Sequence, residues 1–143
     1  MNEPGVTAEQ LLEFRLFQGE SADAIEWVLQ YCPVEAIRGG EVLLRPDELN
    51  SVLFVVLDGS VQVQLEEHSG PAVSVIGRGE CFGEMSLLEG KQTSAFVVAR
   101  QDSRLLRIPE EQAWSLINRS YVVSRNLLAI LSARLRRNNN LLS

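Results

Sequence analysis

The chain has 143 residues, 45% of them hydrophobic and 22% charged, enough for one domain with a core of its own. Its longest apolar runs, such as 52–57, fall far short of the roughly 20 residues that span a bilayer, and MNEPGVTAEQ has no basic segment followed by an apolar one. The net charge of −6 is split: residues 1–111 carry 8 basic and 19 acidic side chains and residues 112–143 carry 5 arginines and no acid, which argues against a duplex-binding body. The basic tail has a simple reading as charge that favours the C-terminal end of a helix through its dipole. Cys32 and Cys81 form no CxxC pair and read as free, semi-buried thiols of a reducing compartment. The expectation is a cytoplasmic protein outside the membrane.

In chain order, Thr7-Ala8-Glu9-Gln10 matches a capping box, with Leu11, Leu12, Phe14 and Leu16 as the apolar positions of a short first helix. Ser21 caps a second, in which Ala24, Ile25, Val28 and Leu29 keep helical spacing until Cys32-Pro33 ends it. From Val34 to Ile108 the texture changes to short apolar runs broken by Gly, Pro, Asp and Asn, as in an antiparallel sandwich or barrel. VLFVVLDGSVQVQLEE reads as a hairpin: Asp58-Gly59 suits a type I′ turn, and Val61, Val63 and Leu65 alternate with Gln62, Gln64 and Glu66. Further strands are expected at 41–44, 72–76, 94–99 and 104–108. Pro109 opens a helix with Glu110 and Glu111 near its positive end; it breaks or bends near 118–120 and resumes at Tyr121. The fold class is therefore mostly β with flanking helices. N-terminal helices (7–32) precede a jelly-roll-like antiparallel barrel of about eight strands (34–108), and C-terminal helices (110–143) follow it.

The last helix carries two stripes. Tyr121, Ser124, Leu128, Leu131, Leu135, Asn138 and Leu142 are spaced 3, 4, 3, 4, 3, 4, the seam of a two-stranded coiled coil, with polar Asn138 able to set register. A second stripe, Val123, Leu127 and Ile130, is expected to face the barrel. A homodimer through this helix follows from the first stripe; a helix packed only on its own domain is the alternative.

CFGEMSLLEGKQTSAFVV, residues 81–98, places a short helix and a loop between strands. With Gly40-Glu41-Val42, Leu53-Phe54-Val55-Val56 and Asp58-Gly59-Ser60-Val61-Gln62-Val63 in this order, nearly the whole chain resembles the cyclic-nucleotide-binding domain family. That family includes the catabolite activator protein, protein kinase A regulatory subunits and gated channels. The resemblance makes residues 82–95 a phosphate-binding cassette. It implies that Gly83 lets the backbone approach a ligand, that Glu84 takes a ribose hydroxyl, and that the amides of Met85 and Ser86 face a cyclic phosphate, with Ser94 touching it as well. The implied ligand is cAMP or cGMP, with no resident cofactor. The family's arginine directly before that serine is Thr93 here. Losing a charge-assisted hydrogen bond worth roughly 1.5–3 kcal/mol weakens binding about ten- to more than a hundredfold. Lys91 offers a point charge nearby, or reads as a solvated loop lysine. Glu84 also reads as a carboxylate capping its own turn.

His68 sits in a polar segment, and one histidine cannot build a cupin metal site or a Ser-His-Asp array, so catalysis is not expected. Two cysteines are too few for an iron–sulfur cluster. No helix-turn-helix follows the last helix, so DNA binding by this chain alone is not expected. The functional expectation is a regulatory ligand-sensing module. A docking scaffold that binds no nucleotide, and the sensor part of a longer signalling protein, are the alternatives.

Overall fold

A computed structural model describes residues 5–66, 71–93 and 95–142, with side chains through 137. Helix α1 (Ala8–Glu13) starts with the expected capping box: the Gln10 amide donates to Thr7 Oγ1 at 3.1 Å and the Thr7 amide to Gln10 Oε1 at 2.9 Å. A 3-10 turn (Arg15–Phe17) leads to α2 (Ala22–Tyr31), capped by Ser21 and ended at Cys32, whose extended backbone meets Pro33. Among the described residues eight strands follow, β1 (Val34–Ile37), β2 (Val42–Leu44), β3 (Val52–Asp58), β4 (Ser60–Gln64), β5 (Ser74–Gly77), β6 (Cys81–Phe82), β7 (Phe96–Ala99) and β8 (Ser103–Pro109). Helix α3 (Glu84–Glu89) lies between β6 and β7, and α4 (Glu110–Arg119) and α5 (Tyr121–Leu142) close the chain.

The strands form two antiparallel sheets of four, ordered β1-β8-β3-β6 and β2-β7-β4-β5. This corrects the expected hairpin. β3 and β4 belong to different sheets, and Asp58-Gly59 is a corner where the chain crosses between them. Only Gly59 has positive φ there, 91°, so the turn is not type I′. The corner packs so tightly on the β7–β8 crossing that a Cβ on Gly59 would lie 2.1 Å from Ser103 Oγ. The alternation expected along β4 also fails at its end: Gln64 is buried and Leu65 is 69% exposed. Gln64 is satisfied by polar contacts, accepting from Gln62 Nε2 at 2.6 Å and donating to the Glu66 carbonyl at 2.7 Å.

The corner explains why residues 52–57 are continuously apolar, because β3 is covered on both faces. Phe54 and Val56 enter the core between the sheets with Val61, Phe82, Val97 and Leu105. Leu53, Val55 and Leu57 face the helices, where Leu11, Phe17, Ile25, Leu116, Val123, Leu127 and Ile130 complete a second core. The inward stripe of α5 is thus placed as expected. Asn126 fixes that helix further, its amide donating to the carbonyls of Leu16 (2.9 Å) and Gln18 (3.0 Å).

Candidate functional site: the cassette under the terminal helix

Residues 81–93 build the cassette from the chain outward. β6 is too short to be a stable ribbon alone and is held against β3, with Phe82 opposite Phe54 and their rings stacked at 4.8 Å. Gly83 then turns the chain in the left-handed region, φ 89°, and serves as N-cap of α3 without any side-chain cap. Its lack of a side chain is required by packing: a Cβ would lie 2.6 Å from the Val52 carbonyl oxygen and 2.7 Å from Asn50 Nδ2. Leu87 anchors α3 in the helical core, and Gly90, also left-handed, ends it with its amide on the Ser86 carbonyl at 2.8 Å.

Asn50 holds the cassette to the β2–β3 loop. Its Nδ2 donates to the carbonyls of Val52 (2.7 Å) and Gly83 (3.1 Å), its Oδ1 accepts from the Val52 amide, and its own amide donates to Ser86 Oγ at 3.1 Å. Ser86 Oγ in turn donates to the Lys91 carbonyl at 2.6 Å. The buried Ser86 hydroxyl is therefore used within the cassette.

Glu84 is buried and forms an ion pair with Arg134 of α5. The same guanidinium donates to the Cys81 carbonyl, so one side chain ties the terminal helix to both ends of the Cys81–Glu84 turn. Burial draws the Arg134 pKa down, but the neighbouring Glu84 carboxylate, together with Cys81 and Glu80, offsets this and leaves it raised. Burial pushes the Cys81 thiol up to about 11, against a smaller lowering by Arg134.

Thr93 faces the β2–β3 loop. Its hydroxyl donates to the Arg45 carbonyl, its amide to Glu48 O at 3.0 Å, and its carbonyl accepts from the Asp47 amide at 2.9 Å. Asp47 has φ 66°, the only positive value among the described non-glycine residues, so this loop is strained where Thr93 clamps it. Lys91 is largely exposed, with Nζ 3.5 Å from a Glu89 carboxylate oxygen. Met85 is 64% exposed. Ser94 and His68 lie outside the described residues.

The structure thus brings Gly83, Glu84, Met85 and Ser86 together at the start of α3, and sets Thr93 against the β2–β3 loop. Asn50 and Arg134 were not anticipated from sequence. Arg134 had a signal: it continues the inward stripe 123, 127, 130 at the next helical step, an arginine where an apolar residue belongs. Asn50 had none for its role at the cassette, because its partners there, Gly83 and Ser86, lie 33 and 36 residues away.

On the outward seam of α5, Tyr121, Leu128 and Leu135 are 76%, 68% and 63% exposed. Ser124 Oγ donates to the Ile117 carbonyl at 2.5 Å, and Leu131 packs partly on the helical core. The side chains of Asn138 and Leu142 lie outside the described residues. Among the described residues no helix is long and apolar enough to cross a membrane.

Residues 34–120 match the family model for the cyclic nucleotide-binding domain. The cyclic AMP receptor protein of Thermus thermophilus is 33% identical over 123 residues, 85% of this chain and 57% of that protein. A putative potassium channel protein of Rhodopseudomonas palustris is 31% identical over 127 residues, 88% of this chain and 31% of its own length. The crystal structure of the Thermus thermophilus catabolite activator protein superposes with a TM-score of 0.78 at 32% identity, covering 90% of this chain and 61% of the other. The chain therefore spans little more than half of the first relative and under a third of the second. Motif order, barrel topology and these similarities agree, and the chain belongs to the cyclic nucleotide-binding domain family.

Proposed function

We propose that the chain is a single-domain regulatory module that senses a small anionic ligand in the cassette of residues 82–95 and passes its state to α5. The observation that carries this reading is the Glu84–Arg134 pair, because a ligand that engages Glu84 must change its bond to the terminal helix. The uncapped first amides of α3, those of Met85 and Ser86 among them, are donors suited to a phosphate. Ser94 is the proposed hydroxyl beside them. The nearest ligand class is cAMP or cGMP, in keeping with a relative described as a cyclic AMP receptor protein. Binding is weakened because Thr93 supplies no charge and spends its hydroxyl on the Arg45 carbonyl. Lys91 sits on the exposed rim and contributes at most a screened charge.

The exposed 121, 128, 135 row is proposed to pair with a second copy, giving a cytoplasmic homodimer that performs no catalysis and binds no DNA through this chain alone. The chain's partial coverage of both relatives supports a sensor part within a longer signalling protein. A scaffold that binds no nucleotide is the second reading. It is favoured by the internal partners that already engage Glu84, Ser86 and Thr93.

Calorimetric titration of the whole chain with cAMP, cGMP and cyclic dinucleotides tests both. The sensing reading expects saturable binding of at least one nucleotide, with cAMP weaker than micromolar. Absence of heat with every nucleotide would leave the scaffold.

A further inference from the structure

An open groove of about 290 Å³ lies away from the cassette, between the start of α2 and the α4–α5 junction. Its walls include Glu20, Ser21, Trp27, Leu116, Arg119 and Ser120. The lining joins an aromatic face and aliphatic surface to hydroxyls and an exposed cation, the mixture by which pockets recognise amphipathic small molecules. The groove already holds a carboxylate supplied by the chain. Glu20 Oε1 accepts from the Ser21 amide at 2.9 Å, and Glu20 Oε2 accepts from Ser120 Oγ. Ser120 Oγ also receives the Val123 amide at 3.0 Å, so this hydroxyl caps α5 while it holds Glu20.

We propose that this groove is a second ligand site, for a small aromatic carboxylate. The ring lies against Trp27, and the carboxylate pairs with Arg119 and takes the Ser120 hydroxyl from Glu20. The volume sets the size class: a 150 Å³ cavity holds benzene, so about 290 Å³ suits one or two rings with a charged group. Glu20 opposes the ligand twice, by occupying the hydroxyl and by repelling a second negative charge. Occupancy exchanges the acceptor at Ser120 and is felt at the first turn of α5.

Salicylate is a suitable probe, since it is a small aromatic carboxylate and would sit beside Trp27, whose emission responds to what covers the ring. In a Trp114→Phe chain, leaving Trp27 as the one tryptophan, salicylate should quench the emission saturably. Arg119→Ala should weaken this binding about tenfold. Glu20→Gln should tighten it about fivefold, a gain that a damaged fold would not produce. Linear, non-saturating quenching, an unchanged affinity in Arg119→Ala, or weaker binding in Glu20→Gln would each overturn the proposal.

Discussion

Glu84 and Arg134, 50 residues apart in sequence, form the ion pair that joins the cassette to the terminal helix. Glu84 is almost fully buried and Arg134 largely so, which makes the pair far more sensitive to loss of one partner than an exposed salt bridge. Arg134→Met leaves a buried carboxylate without its counter-charge and should destabilise the chain by about 3 kcal/mol. The double variant Glu84→Gln/Arg134→Met should recover much of that. A urea-denaturation cycle over the four proteins measures the coupling, and additive single effects would rule the pair out as a unit.

Two left-handed glycines flank α3 and should respond differently to alanine. Gly83 has the Val52 carbonyl and Asn50 within 2.7 Å of a new Cβ, whereas Gly90 has open space. Gly90→Ala should cost about 1 kcal/mol from its backbone conformation alone, and Gly83→Ala at least about 2 kcal/mol, because the β2–β3 loop must also shift. Thermal melts of both variants make the comparison.

Restoring charge at residue 93 probes the ligand. Thr93→Arg gives up the hydroxyl contacts to Arg45 O and Glu48 O, while the backbone bonds to Glu48 and Asp47 remain. Calorimetry should show tenfold or greater gain in cAMP affinity. An unchanged isotherm would mean that residue 93 does not face the phosphate.

The two faces of α5 separate assembly from folding. Leu128→Glu places a charge on the exposed row and should convert a dimer to monomer in sedimentation with little change in the melt. Leu127→Ala empties a 5% exposed core position and should cost about 2–5 kcal/mol. A wild-type chain that sediments as a monomer at high concentration would remove the dimer.

Alkaline pH should weaken the fold. Burial raises Cys32 from 9.0 to about 12 and Cys81 from 9.0 to about 11. Above pH 9 the unfolded thiols lose protons that the folded ones keep, so unfolding becomes more favourable as pH rises toward 11–12. Each thiol should contribute about 1 kcal/mol of this loss by pH 10. Cys32→Ala should flatten the profile measured by denaturation between pH 8 and 10. Both thiols should also resist Ellman's reagent until the chain unfolds.

Helix starts, the break at Ser120 and the inward stripe of α5 were legible because each is local: a hydroxyl three residues from its amide, or side chains one turn apart. The motif order from Gly40 to Val98 likewise identified the family. Local chemistry misled at Asp58-Gly59, since a two-residue turn and a sheet-crossing corner call for the same glycine, and only Ser103 packed beneath it distinguishes them. The sequence by itself determined the barrel, its helices and the cassette's outline. Tertiary structure alone decided that Asn50 grips Gly83, that Thr93 faces the β2–β3 loop and that Glu84 is joined to Arg134. Those contacts span 33 to 50 residues, and no periodicity records which distant side chain closes on a buried charge.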